Sequence, residues 1–314
     1  MGRKVTIIGA GTVGATIAYT LAVSGNASEV VLVDINEQKA FGEAMDIRQG
    51  APFISAINIY AGDYSDAAGS DIVILTSGIA RRPGQSRLDL AQTNVDITKS
   101  IIPKITKVAP NAVYIIVSNP VDILTYVFCK CSDLPESRII GSGALLDTAR
   151  LRSRLAETFS ISMQNVHASV FGEHGDSSFV PWSIATISGT PVEAYARSKG
   201  LQVDGSGFNR DEIEEYVRKS GSTIITAKGA TYYAVSLTVN NICSCIFRGI
   251  DTALTVSTMM NGEYGINDVC LSILSIVGKG GVTGKLISPI TDEEILKLHN
   301  SANKLKEVIN QLKI

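Results

Sequence analysis

One stretch constrains the fold of this chain more than any other: "VTIIGAGTVGATIAYTL", which begins at Val5. A run of Val, Thr and Ile meets a G-x-G-x-x-G turn at Gly9, Gly11 and Gly14, then passes into a segment with helical texture. The first glycine of such a turn permits a tight reversal. The second lets the backbone approach a pyrophosphate, and the third lets helix and strand pack closely. Free N–H groups at the helix start then face the phosphates. Glycines also gather in turns for steric reasons alone, so the pattern draws its weight from its setting. Asp34 follows Gly14 by 20 residues, at the end of a second apolar run, "EVVLVD". An acid there accepts hydrogen bonds from a ribose 2′-hydroxyl and repels a 2′-phosphate. Gly9, Gly11, Val13, Gly14 and Asp34 are therefore candidate ligands of a dinucleotide, with NAD favoured over NADP.

The rest of the first half repeats this alternation. Runs rich in Val and Ile at residues 4–8, 30–33, 72–75 and 113–117 read as buried strands. The spacing predicts helices over 12–24, 37–49 and 88–108. Strands alternating with helices build a parallel sheet. After about residue 145 the texture changes. A helix is expected over 147–159, with Asp147 as its cap. A long helical region is expected over 211–248, interrupted near Gly221 and Gly229. Antiparallel strands are expected over 252–283 around the turn Asn261-Gly262-Glu263-Tyr264-Gly265, and a closing helix from Thr291 to Leu312. The expected fold is α/β: an N-terminal Rossmann doubly wound parallel sheet over 1–143, and a C-terminal α+β catalytic domain over 144–314. At 314 residues the chain is long enough for two lobes in close contact.

Composition narrows the function. The net charge of −2 argues against a chain that binds nucleic acid mainly through phosphates. No apolar run approaches the roughly 20 residues that cross a bilayer, and the N-terminus has no signal-peptide layout. The cysteines, Cys129, Cys131, Cys243, Cys245 and Cys270, form no C-x-x-C pair, and there are only three histidines. No metal site is expected. Reduced packing cysteines and a cytoplasmic location fit this pattern.

The second half carries the chemistry. "VFGEHGDSSF" sets His174 between Gly172 and Gly175, a turn poorly suited to a core histidine. "LLDTARLR" supplies Asp147 and Arg150, one helical turn apart and so on one face. "VSNPVD" supplies Asn119 just beyond a strand's carboxyl end, where open parallel sheets bind ligands. Hydride transfer at a secondary alcohol needs such a set. A base takes the hydroxyl proton, and histidine titrates in the useful range. An aspartate fixes its tautomer, and an arginine fork holds a carboxylate. A second cation polarises the carbonyl oxygen as charge develops there. No G-x-S-x-G turn offers a serine nucleophile.

With GAGTVG, RPGQSRLDL, VSNPVD, LDTARLR and GEHGDSS in hand, the chain resembles the L-lactate and malate dehydrogenase family over essentially its whole length. The resemblance implies His174 as proton donor and acceptor, with Asp147 as its partner. It implies Arg150 as the clamp on the substrate's C1 carboxylate and Asn119 as a support for substrate and nicotinamide. Arg87 would polarise the carbonyl from a lid, "GIARRPGQSRLDL", whose closure pushes water out. NAD as cofactor and a homotetramer or homodimer in the cytosol follow from the same resemblance.

The substrate is contested between residues. In the family, the position of Arg81 meets the substrate's far end. Lactate enzymes usually carry Gln there, and malate enzymes carry Arg. Arg81 taken alone favours oxaloacetate, whose second carboxylate it can pair. Thr231 in "KGATYYA", Glu173 in GEHGD and the SRLDL stretch resemble the lactate branch. Pyruvate and L-lactate are therefore the expected pair, with malate dehydrogenase or dual specificity as the alternative. Arg152 and His167 match the pair that binds fructose 1,6-bisphosphate between subunits in allosteric bacterial members. A non-catalytic NAD-binding regulator is the remaining alternative, and it would have no reason to keep His174, Asp147, Arg150 and Arg87 together.

Overall fold

The computed structural model describes residues 2–79 and 86–314, with the backbone alone of Arg87. Arg81, Arg82 and the Pro83-Gly84 corner of the expected lid lie outside the described residues, as does the side chain of Arg87.

Six parallel strands form the first half: β1 (Lys4–Ile8), β2 (Glu29–Val33), β3 (Asn58–Ala61), β4 (Ile72–Leu75), β5 (Val113–Ile116) and β6 (Ile139–Gly141), in the order β3-β2-β1-β4-β5-β6. This is the Rossmann order, which reverses direction beside β1. The strands read as apolar runs because both faces are covered. Along β4, Ile72 and Ile74 join the core on one face, and Val73 and Leu75 join the core on the other. Helices α1 (Thr12–Ser24), α2 (Glu37–Gln49) and α3 (Arg87–Val108) keep the bounds expected of them within a residue. Asn36 caps α2 by accepting from the Lys39 N–H at 3.1 Å, and Ser86 caps α3 by accepting from the Asp89 N–H at 3.0 Å.

The second half adds β7 (Thr252–Asn261), β8 (Asn267–Gly278) and β9 (Gly281–Lys285), antiparallel as expected. They are not a separate sheet. β7 joins β6 where Ser257 faces Gly141, so one nine-stranded sheet runs through both halves. A β-carbon on Gly141 would stand 2.4 Å from Thr125 Oγ1 and 2.9 Å from Ser257 Cβ, so only glycine fits this junction. Helix α4 (Val121–Cys131) runs beneath it, between α3 and the strands β7 and β8. Every residue from Val121 to Cys129 is buried, as befits a helix covered on all sides. A third apolar cluster, including Leu151, Phe159, Phe208 and Val217, joins α5 (Leu145–Phe159), α6 (Val192–Ser198) and α7 (Arg210–Lys228). Helix α8 (Tyr233–Arg248) follows, and α9 (Asp292–Ile309) closes the chain from a capping box between Thr291 and Glu294.

Three expectations are corrected. Helix α5 begins at Leu145 behind Ala144, so Asp147 lies inside its first turn and does not cap it; its carboxylate turns to other partners. The helical region after residue 210 is not interrupted at Gly221. Helix α7 runs straight through, and the break falls after Gly229, whose φ of +87° cannot continue a helix. The five cysteines are free thiols; four are buried and Cys131 is exposed, so it is not a packing residue. Among the described residues no helix is long and apolar enough to cross a membrane, and no cluster of three or more metal-ligating side chains occurs.

Candidate active site

The turn between β1 and α1 is built from close approaches. A β-carbon on Gly14 would stand 1.9 Å from the Gly9 carbonyl oxygen, so glycine is obligatory where the helix meets the strand. At Gly11 the same construction meets nothing within 4 Å. That is the open side of the turn, where a ligand's phosphates would lie. Gly11 is the N-cap of α1 and offers no side-chain acceptor, so the first-turn N–H groups remain available to an anion. Asp34 stands just past β2. Its Oδ2 accepts the Ala10 N–H at 2.6 Å and its Oδ1 accepts the Asn36 N–H at 2.9 Å. These bonds fix the carboxylate beside the turn while leaving lone pairs on both oxygens. The residues present fit a dinucleotide with a free 2′-hydroxyl.

Across the carboxyl ends of the strands lies a cavity of about 560 Å³. Val13 and Asn119 line it from the first half; Asp147, Arg150, His174 and Thr231 line it from the second. Asn119 follows β5. Asn94 on α3 holds it by donating from Nδ2 to its carbonyl oxygen at 2.7 Å. Thr231 sits in the break between α7 and α8.

Helix α5 presents Asp147 and Arg150 on one face, and the loop after Gly172 brings His174 to them. Asp147 Oδ2 lies 2.5 Å from His174 Nδ1, and Arg150 Nη1 donates to Asp147 Oδ1 at 2.8 Å. With Nδ1 so engaged, Nε2 is the ring nitrogen left for a substrate. The Asp147 charge raises the His174 pKa to about 9; its hydrogen bond and the charge of Asp122 add to this, while burial and Arg150 oppose it. Burial by itself would push Asp147 up, but the charges and hydrogen bonds of His174 and Arg150 outweigh it and hold the carboxyl below its ordinary range. At neutral pH the site therefore holds an imidazolium, a carboxylate and a guanidinium.

Four contributors were not singled out in the sequence. Asp122, in the quoted VSNPVD stretch, accepts the His174 backbone N–H at 2.7 Å and the Ser257 hydroxyl at 2.5 Å. Asn94 holds Asn119, as described. Arg218 on α7 lines the cavity and donates from Nη1 to the Ser178 carbonyl oxygen at 3.2 Å. Ser257 and Arg218 carry no sequence signal. Asp122 does, since an aspartate set in the otherwise apolar start of "VDILTYVF" needs a reason.

Arg152 and His167 stand apart from this cavity. Arg152 lies elsewhere on α5 and donates from Nε to the Ala168 carbonyl oxygen at 2.9 Å, which draws it to the segment carrying the exposed His167.

Comparison with known proteins decides the family. The lactate/malate dehydrogenase NAD-binding domain matches residues 3–141, and the alpha/beta C-terminal domain of the same family matches residues 144–313. The chain belongs to the lactate/malate dehydrogenase family. Among its relatives in that family, an L-lactate dehydrogenase of Thermoanaerobacter sp. (strain X514) is 49% identical over 99% of this chain and 100% of its own length. One of Acetivibrio thermocellus is 47% identical over 99% and 98%. The crystal structure of a minor L-lactate dehydrogenase from Enterococcus mundtii, in a ligand-bound form, superposes with a TM-score of 0.95 at 36% identity, covering 100% of this chain and 99% of its own. As a lactate/malate dehydrogenase with the family's NAD-binding domain, the chain takes NAD(H) as its cofactor.

Proposed function

We propose that the chain is an L-lactate dehydrogenase, which reduces pyruvate to L-lactate with NADH and runs the reverse reaction. The observation that carries this reading is Asp147, bonded at once to His174 at 2.5 Å and to Arg150 at 2.8 Å in a cavity that also reaches the dinucleotide turn. Gly9, Gly11, Val13, Gly14 and Asp34 would hold the dinucleotide, and Asn119 its nicotinamide side. Bound NADH supplies the hydride.

The protein's own residues do the rest. Arg150 clamps the C1 carboxylate as a planar fork. Its bond to Asp147 fixes the fork's plane before substrate arrives. His174, protonated below about pH 9, donates from Nε2 to the oxygen that becomes the hydroxyl, and takes the proton back in the reverse direction. Asp147 stabilises the imidazolium throughout. Arg87 polarises the carbonyl, and Thr231 limits the space at the substrate's far end. The division at residues 143 and 144 then separates a cofactor half from a substrate half.

Two relatives named L-lactate dehydrogenase, each near half identity over almost their full length, support pyruvate as substrate. Arg81 supports a second reading, in which oxaloacetate is taken as well. The same proposal includes a cytoplasmic homotetramer in which Arg152 and His167 from paired subunits bind fructose 1,6-bisphosphate. The Arg152–Ala168 bond, which ties Arg152 to the residue next to His167, supports it.

The test is kcat/KM with NADH for pyruvate and for oxaloacetate, each with and without fructose 1,6-bisphosphate, beside the mass of the assembly in solution. A pyruvate preference is expected. An oxaloacetate preference would make this a malate dehydrogenase, and no turnover of either would leave an NAD-binding protein.

A further inference from the structure

His174 is held by two carboxylates, and the second reaches it through the backbone. Asp122 lies at the start of α4 and is almost wholly enclosed. Both its oxygens are committed: Oδ2 to the His174 N–H at 2.7 Å, Oδ1 to Ser257 at 2.5 Å. Ser257 is the residue of β7 that faces Gly141 at the junction of the sheet. The loop is also tied on its other side, where Ser301 of α9 accepts the Glu173 N–H at 2.8 Å.

An aspartate in a buried helix is costly unless its charge has a use, because burying a carboxylate loses its hydration. Packing alone would be served by an amide of the same shape. We propose that Asp122, with Ser257, is a positioning residue for the proton-transfer step: it fixes the main chain of His174 and supplies a second negative charge that favours the protonated ring. This rests on the reading of His174 as the proton donor.

Among the described residues, the charges around the ring come from several elements. Asp147 and Arg150 stand on α5, and Asp122 on α4; Glu173, beside it in the loop, acts on Asp122 in turn. Arg218 on α7 and Asp176 in the loop line the same cavity. Burial raises Asp122 to about 6, and its hydrogen bonds from Ser257 and the His174 N–H counter that rise. Above that value both carboxylates are charged, and the imidazolium has its full support.

The experiment reads the His174 titration in the free protein, with no substrate present. Carbethoxylation by diethyl pyrocarbonate is followed against pH, and a His174→Asn variant identifies the signal among the three histidines. Asp122→Asn keeps the shape and removes the charge. The midpoint is expected to fall by about one pH unit, and kcat to fall with KM for the oxo acid little changed. Ser257→Ala removes one of the two bonds that fix Asp122 and leaves it charged at the His174 midpoint, so the midpoint is expected to hold while kcat falls with KM little changed. An unchanged midpoint in Asp122→Asn overturns the proposal. Should that variant not fold, an unchanged kcat in Ser257→Ala overturns it. A shifted midpoint in a protein that turns over no 2-oxo acid would uphold the role of Asp122 and remove the dehydrogenase reading.

Discussion

Gly221, in the middle of α7, lies against the guanidinium of Arg150: a β-carbon there would stand 3.6 Å from Nη2 and 3.8 Å from Nη1. That is ordinary contact, so alanine fits, and it suits a helix better by up to about 1 kcal/mol. Gly221→Ala is expected to raise the melting temperature by roughly 2 °C and leave Arg150 bound to Asp147. A branched side chain would intrude on the guanidinium. Gly221→Val is expected to raise KM for the oxo acid with kcat less affected. Calorimetry and steady-state kinetics on the two variants check both parts.

Asp147→Asn removes the largest influence on His174. The histidine midpoint should fall from about 9 toward 6.5, so at pH 8 most rings lack the proton that reduction requires. The rate of pyruvate reduction at that pH is expected to drop about 30-fold, the fall in the protonated fraction of the ring. The loss should be smaller at pH 6. A pH profile that drops uniformly instead would place the effect of Asp147 in packing.

The sign of the pH dependence follows from the same pair. His174 rises from 6.5 in the unfolded chain to about 9 in the fold. Its contribution to stability is therefore full below pH 6.5 and is lost as pH climbs through 9. Asp147 works the other way: its lowered pKa stabilises the fold above its ordinary range and loses that effect in acid. Denaturant midpoints should decline between pH 7 and 9.5. Over the same window pyruvate reduction should weaken and lactate oxidation gain.

Arg81→Gln tests specificity. An unpaired guanidinium beside the methyl of pyruvate costs roughly 1–3 kcal/mol, so its removal should raise the ratio of kcat/KM for pyruvate over oxaloacetate by about tenfold. A ratio that does not move would take Arg81 out of contact with substrate.

Asp34→Ser tests the cofactor reading. Without the acid, repulsion of a 2′-phosphate disappears, and the ratio of NADPH to NADH activity should rise by at least about tenfold. The Ala10 N–H loses its 2.6 Å acceptor in the same change, so NADH binding should weaken too.

The legible parts of the fold were those with strong periodicity or explicit end signals. Helices α1 and α2 keep both of their expected ends, and the capping box at Thr291 marks the start of α9. Strands β3 and β6 were missed for opposite reasons. β3 is an edge strand with one fully buried residue, Ile59, and β6 is only Ile139–Gly141, too short to show a period. Helix α4 was hidden because its first nine residues are all buried and only Asp122 and Thr125 among them break the apolar run. Gly221 misled for a different reason: it is read as a breaker from its backbone freedom, while its use in the fold is the space it leaves beside Arg150. In the site, His174, Asp147 and Arg150 were legible because their chemistry is distinctive. Ser257 and Arg218 were not, since only the tertiary fold brings them to the loop.

The seam between β6 and β7 bears on how the protein is made. A chain ending near residue 143 would carry β6 as an open edge, with Ile139 and Ile140 stripped of cover, and α4 without the strands that hide it. Such an edge recruits other strands, and such a helix recruits other apolar surfaces. The dinucleotide half is therefore a recognition module that cannot be lifted out of its context. A chain cut near residue 143 is expected to self-associate through this edge, which light scattering on the truncated protein would show.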